Sequence, residues 1–127
     1  MSYELTVKPT PAYLHVIVTG QNTKENVMRY MEEVMRECNV RQCKIVLIEE
    51  RLVGPRLNTV EVFSMVSQGA KRFLGHLRAL AYVDTNADGP LMQFAETVAI
   101  NRGIPVQVFS SVAQAEQWLS HLIDSGT

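Results

Sequence analysis

Apolar residues recur along this chain at a period of two, then near 3.6, and then at two again. Each switch marks a new element. Tyr3 to Lys8 alternates and stops at Pro9 and Pro11. Tyr13 to Thr19 alternates again, with Leu14, Val16 and Val18 on one face and Gly20 at its end. Two such runs joined by a short Pro-containing turn predict an antiparallel pair. A helical pattern follows. Asn22 is placed to cap it with Glu25 as the capping-box partner, and Val27, Met31, Val34 and Cys38 form a stripe flanked by Met28 and Met35.

Cys43 to Glu49 predicts a third strand. Its centre, Ile45-Val46-Leu47-Ile48, is apolar on both faces, the mark of a central parallel strand. A polar loop, Glu49 to Leu57, leads to a second helix opened by an Asn58–Glu61 capping box, with Val62, Val66, Ala70 and Phe73 as its stripe. Leu77 to Asp84 predicts a fourth strand. Asp88-Gly89-Pro90 then starts a third helix, whose apolar face is Leu91, Phe94, Ala95, Val98 and Ala99. Gly103 and Pro105 end that helix, and Val106 to Phe109 is the fifth strand. Ser111 with Gln114 caps the last helix, striped by Val112, Ala115, Leu119 and Leu122 with Trp118 beside them. The order ββαβαβαβα predicts an α/β fold with a mostly parallel five-stranded sheet and one antiparallel edge strand. Nothing in the pattern divides residues 1–127, so a single domain is expected.

Composition narrows the function classes. Twelve Lys+Arg against thirteen Asp+Glu give a net charge of −1, which argues against a dedicated nucleic-acid binder. Two small basic clusters, Lys71, Arg72, His76 and Arg78 and then Arg36, Arg41 and Lys44, fall near predicted helix C-termini, where the helix dipole favours cations. No apolar run approaches the ~18 residues of a membrane span. The start, Met1-Ser2-Tyr3-Glu4-Leu5, lacks a basic stretch followed by an apolar one, so a cytoplasmic location is expected. In that compartment Cys38 and Cys43 stay thiols. His15, His76 and His121 show no zinc-ligand spacing, and no metal or cofactor is expected.

The segments Arg78-Ala79-Leu80-Ala81-Tyr82-Val83, Phe94-Ala95, Val106-Gln107-Val108-Phe109 and Ala113-Gln114-Ala115-Glu116-Gln117-Trp118-Leu119, taken with the element order, resemble the anti-sigma-factor antagonist (STAS) fold, in its SpoIIAA-like branch. In order of elements the resemblance covers essentially the whole chain. In sequence it runs from about Arg78 to Leu122. It implies a βα superhelix without catalytic apparatus, acting as a regulatory or binding module, and a fold similar to SEC14-like lipid-transfer domains. The family's phosphoacceptor motif would fall at Asn58-Thr59, which would make Thr59 the acceptor. Here Val60-Glu61 follow with no Gly, and Thr59 is more simply the first residue of a capped helix.

Three stretches carry candidate chemistry. The loop from Glu49 to Thr59 follows a parallel strand and precedes a helix N-terminus, so Arg51, Arg56, Asn58 and Thr59 form a candidate ligand or anion site. The plainer alternative is a solvated loop with Arg51 and Arg56 paired to Glu49, Glu50 or Glu61. Asp84-Thr85-Asn86-Ala87-Asp88-Gly89 offers too few oxygens for a cation site, and capping by Asp88 accounts for it. Met28, Met31, Met35 and Met65 stand on two helices expected to pack together. They form a seam that leans toward an apolar ligand, with core filling as the alternative. The expectation from sequence is a non-enzymatic regulatory or protein-interaction module that binds a partner or forms a homodimer. The alternative is a carrier or sensor of a lipid or small apolar ligand.

Overall fold

In the computed structural model, which describes residues 3–55, 57–73, 77–84 and 89–124 (69–73 as backbone only), the strands lie in the sheet in chain order. They are β1 (Tyr3–Pro9), β2 (Leu14–Gln21), β3 (Ile45–Val53), β4 (Ala79–Val83) and β5 (Val106–Phe109). β1 runs antiparallel to β2, with Leu5 opposite Val18, and the other pairings are parallel. The helices are α1 (Lys24–Arg41), α2 (Thr59–Phe73), α3 (Pro90–Asn101) and α4 (Val112–Asp124). The element order is the one the periodicity predicts.

Strand order dictates the layers. Each crossover from β2 to β5 advances one place in the same direction, so right-handed connections put α1, α2 and α3 on one face. α4 follows the last strand and covers the opposite face. The two faces have separate cores. Leu14, Val16, Val18, Val46, Ile48 and Leu80 pack with Val27, Tyr30, Val34 and Met35 of α1. Ile45, Leu47, Ala79, Ala81 and Val83 pack with Ala115 and Leu119 of α4. Alternation along β3 and β4 assigns their residues to these two cores. α4 packs on β3, β4 and β5, and among the described residues no helix packs extensively on the same face of β1 and β2. Glu4, Thr6 and Lys8 are exposed there, and His15, Ile17 and Thr19 are half-buried.

Two boundaries differ from the sequence reading. β3 continues to Val53, so Glu49 to Val53 is strand rather than loop. Its partner sets the limit: β2 offers pairing positions out to Gln21, which lies opposite Val53. Glu49 and Arg51 lie on the face shared with His15, Ile17 and Thr19, where they pair with each other, while Glu50 on the other face accepts from the Tyr30 hydroxyl. The α1 cap is Thr23 rather than Asn22. The Thr23 side chain accepts from the Asn26 backbone N–H at 3.1 Å, and the Asn22 side chain donates instead to the Pro55 carbonyl at 3.2 Å. Asn26, 1% exposed, completes the turn by donating from Nδ2 to the Gln21 carbonyl at 2.9 Å. Gly54 closes this corner at φ +115°, where a Cβ would approach the Gln21 side-chain oxygen to 3.3 Å.

Other sequence signals hold in detail. The Asn58 side chain accepts from the Glu61 N–H at 2.8 Å, and the Glu61 carboxylate accepts from the Asn58 N–H at 3.2 Å. Ser111 accepts from the Gln114 N–H at 3.3 Å. Pro90 sits in the first turn of α3 after Gly89. The expected cap, Asp88, lies outside the described residues. The outer edge of β5 is covered by a side chain: the Glu96 carboxylate accepts from the Val108 N–H at 2.7 Å, which satisfies a donor that no further strand reaches.

Candidate functional site

α2 packs on α3 and α1 and stays farther from the strands than α1 or α4 does. Beneath it lies a half-open cavity of about 460 Å³, walled by α1, α2, α3 and the floor formed by β4 and β5. That size suits a small-molecule pocket (about 300–1,000 Å³). Met28, Met31 and Met35 reach it from α1, Met65 from α2 and Met92 from α3. The chain has six methionines, and the five within the described residues all line this one space. The seam read from sequence is therefore a cavity wall, and Met92 joins it from a third helix. Leu57, Val62, Leu80, Leu91, Val106 and Val108 supply most of the remaining apolar surface. Thioethers on three-bond stems adapt to ligand shape without forcing backbone shifts.

Polar groups gather where the parallel strands end. Glu50, from the second half of β3, Tyr82, from β4, and Asp84, just beyond β4, line the cavity there. Asp84 is 4% exposed. Behind them stands Tyr30, fully enclosed on α1. Its hydroxyl donates to the Glu50 carboxylate at 3.0 Å and lies 2.8 Å from the Tyr82 hydroxyl. Burial, followed by the charges of Glu50 and Asp84, pushes the Tyr30 phenol well above its ordinary range. It therefore remains a proton donor in the folded protein. Tyr30 also stacks edge-on against Tyr3, with ring centres 6.3 Å apart. The Tyr3 hydroxyl in turn donates to Glu33 at 2.7 Å, which ties β1 to α1.

The residues singled out from sequence are only partly brought together. Arg51 lies in β3, where alternation turns it to the face opposite the cavity. There it pairs with Glu49, which also meets His15 Nε2 at 3.0 Å. Arg51 and the α2 N-terminus thus stand on opposite faces of the sheet and make no joint clamp. Asn58 is engaged in its capping box, and Thr59 is exposed as the first residue of α2. Arg56, His76 and the 85–88 stretch lie outside the described residues, as do the side chains of Lys71 and Arg72. Arg78 donates to the Leu122 carbonyl at 3.4 Å, near the C-terminal end of α4 rather than of α2, the helix that precedes it in sequence. Arg36 lies at the cavity rim. Cys38 and Cys43 are both free thiols. Among the described residues no three His, Cys, Asp or Glu side chains are grouped to hold a metal, and no helix is long and apolar enough to cross a membrane.

Sequence reasoning missed Tyr30, Tyr82 and Glu50. Tyr30 had a signal, because it sits three positions after Val27 and four before Val34, inside the buried stripe of α1. Glu50 had none, since it looked like part of a charged loop. Comparison with protein-family models, curated proteins and solved structures finds no match.

Three raised acids predict how stability responds to alkali. Burial lifts the Cys38 thiol from 9.0 to about 11 and the Tyr3 phenol from 10.0 to about 12, and it raises the Tyr30 phenol well above its ordinary range. The folded chain holds these protons at a pH where the unfolded chain has released them. Their stabilising contribution is complete below about pH 9 and declines above it. Thermal midpoints recorded from about pH 8 to pH 11 should be level at first and then fall. A midpoint that rises across that interval would contradict the burial of these three groups.

Proposed function

We propose that this domain is a carrier or sensor of a small apolar ligand held under α2. The observation that carries the reading is the convergence of five methionines from three helices on one pocket whose lining is mostly apolar. A half-open pocket of this size, walled by adaptable apolar side chains, suits a small apolar guest. The lipid-binding side of the SpoIIAA-like and SEC14-like resemblance points the same way, and the observed order of elements is compatible with it. No reaction chemistry is required of the site.

The test uses the methionines themselves. Protein labelled with ¹³C at the methionine methyl groups is titrated with decan-1-ol. The reading expects the Met28, Met31, Met65 and Met92 signals to shift together and saturate. Native mass spectrometry of the freshly purified protein should show a co-purifying organic mass. Unchanged methyl signals at saturating decan-1-ol, together with a bare polypeptide mass, would refute the proposal.

A second reading, a regulatory module that pairs with a protein or with a second copy of itself, rests on the face of β1 and β2 on which no described helix packs extensively and on the free edge of β1. Light scattering across a concentration series would test it, and a strict monomer would count against the homodimer.

A further inference from the structure

The two ends of the sheet are finished differently. At β5 the Glu96 carboxylate accepts from the Val108 N–H, so a side chain stands where a further strand would pair. At the other end is β1, seven residues long, and among the described residues no strand lies beyond it. The usual strand has about 5–6 residues, and a long open edge is a template for pairing.

The hairpin register shows which backbone groups that edge offers. Thr6 lies opposite Ile17, and Lys8 lies opposite His15. The same register places Thr10 opposite Tyr13, and the Thr10 N–H donates to the Tyr13 carbonyl at 2.9 Å. Bonded and non-bonded pairs alternate along an antiparallel ladder. Glu4, Thr6 and Lys8 therefore turn their N–H and C=O groups toward β2, and Tyr3, Leu5 and Val7 turn theirs outward. Pro9 falls in the outward set, where its missing N–H removes no bond to β2. The side chains alternate too. Glu4, Thr6 and Lys8 are exposed on one face, while Tyr3, Leu5 and Val7 are half-buried on the other, against the α1 core. The exposed set reads acid, neutral, base, and is centred on the middle residue of the strand.

We propose that β1 pairs antiparallel with β1 of a second copy of this chain, about a two-fold axis at Thr6, so that two five-stranded sheets become one of ten. This inference rests on the self-association reading above and names its surface and register. Glu4 then faces Lys8 of the second copy, and Lys8 faces its Glu4. Both contacts fall at non-bonded pairs, where side chains approach most closely. Leu5 and Val7 of the second copy exchange their outward N–H and C=O groups, and the Tyr3 N–H meets the second copy's Pro9 carbonyl. Sliding the register by one residue sets outward groups against inward ones. Sliding it by two keeps the backbone bonds but sets Thr6 against Glu4 or Lys8, and the overlap shortens. Charge, backbone direction and length therefore select the same register. The patch is self-complementary, as a two-fold interface requires, which favours a second copy over an unrelated strand.

Sedimentation velocity from micromolar to millimolar protein tests this with charge reversals. The unaltered chain should dimerise as concentration rises. Glu4→Lys and Lys8→Glu should each weaken the dimer about tenfold or more, because both charge contacts become repulsive. An equimolar mixture of the two variants should dimerise again, since one chain is then basic at both positions and the other acidic at both. The double variant should also recover. These side chains are exposed, and an unchanged thermal midpoint shows that each variant is folded. Thr6→Cys reads the register directly. Across the axis the two Cα atoms are about 4.5 Å apart, within disulfide range, so mild oxidation should link position 6 to position 6, as identified by peptide mass spectrometry. In Glu4→Cys the equivalent positions are roughly 13 Å apart and should stay unlinked.

A dimer that neither reversal weakens, or that the mixture fails to restore, overturns this register while leaving self-association in place. Linkage at position 4 in preference to position 6 does the same. A strict monomer up to millimolar concentration ends both.

Discussion

Ala95→Trp is expected to remove decan-1-ol binding while leaving the fold in place. Ala95 stands in the middle of α3 with its side chain toward the cavity. An indole there occupies space that the ligand chain would otherwise fill. Excluding even a side-chain-sized part of the chain forfeits about 1.5–3 kcal/mol of apolar burial, a loss of roughly tenfold to a hundredfold in affinity. The added ring enters a void instead of a packed core, so the usual overpacking strain of about 1–3 kcal/mol is largely avoided. The thermal midpoint should change little. Val60→Trp is the matched control, because Val60 on α2 is 77% exposed and a ring there faces solvent. Methyl titrations of both variants check the prediction. Undiminished binding to Ala95→Trp would mean that decan-1-ol sits elsewhere.

The second large effect concerns the opposite face of the sheet. Leu47 is completely buried in β3, a strand paired on both sides, and lies in the core under α4. Its core neighbours include Ala79, Ala81 and Ala115, with Leu119 above them. Alanine side chains have no rotamers with which to swing into a vacated space, and hydrogen-bonded strands shift little. Leu47→Ala should therefore retain most of its cavity and cost about 3–5 kcal/mol, the upper part of the range for buried leucines. Against a total stability of about 5–15 kcal/mol this is a severe loss. Chemical denaturation should show a lower midpoint with an unchanged slope. Leu91→Ala, at the wall of the α2-side cavity, should cost clearly less, since that side chain already borders open space. Equal costs at the two positions would contradict the division between a packed face and a hollow one.

Together these variants separate two roles that one sheet serves. The α4 face is closed by interlocking small and large side chains and has little room to change. The α1–α3 face is held at its margins: by the Thr23 and Asn26 corner, by the Asn58–Glu61 box, and by the Glu96 bond to β5. Lys24 Nζ also reaches Ser64 Oγ at 3.4 Å, linking the first turn of α1 to α2. At the far side Arg102 lies over the Phe63 ring, 4.7 Å from its centre, and joins the end of α3 to α2. Contacts of this kind fix where the helices stand without filling the space between them.

The number and order of elements, the central position of the Ile45–Ile48 strand and the start of α2 were all legible in the sequence. Each depends on local periodicity or on a cap that acts within one turn. The methionine seam was legible as a set of residues, because helical spacing assigns them to one face. Its meaning was not. Whether a seam is filled core or an empty wall depends on the distance between α2 and the sheet, and that distance is set jointly by α1, α3 and the strands. The end of β3 was likewise decided by its partner, because β2 offers pairing as far as Gln21. The Tyr30–Tyr82–Glu50 relay joins residues up to 52 positions apart, so no local pattern could announce it. Sequence by itself determined which faces are apolar and in what order they arise. Only the tertiary structure decided that two of those faces are held apart, because a void belongs to no single element.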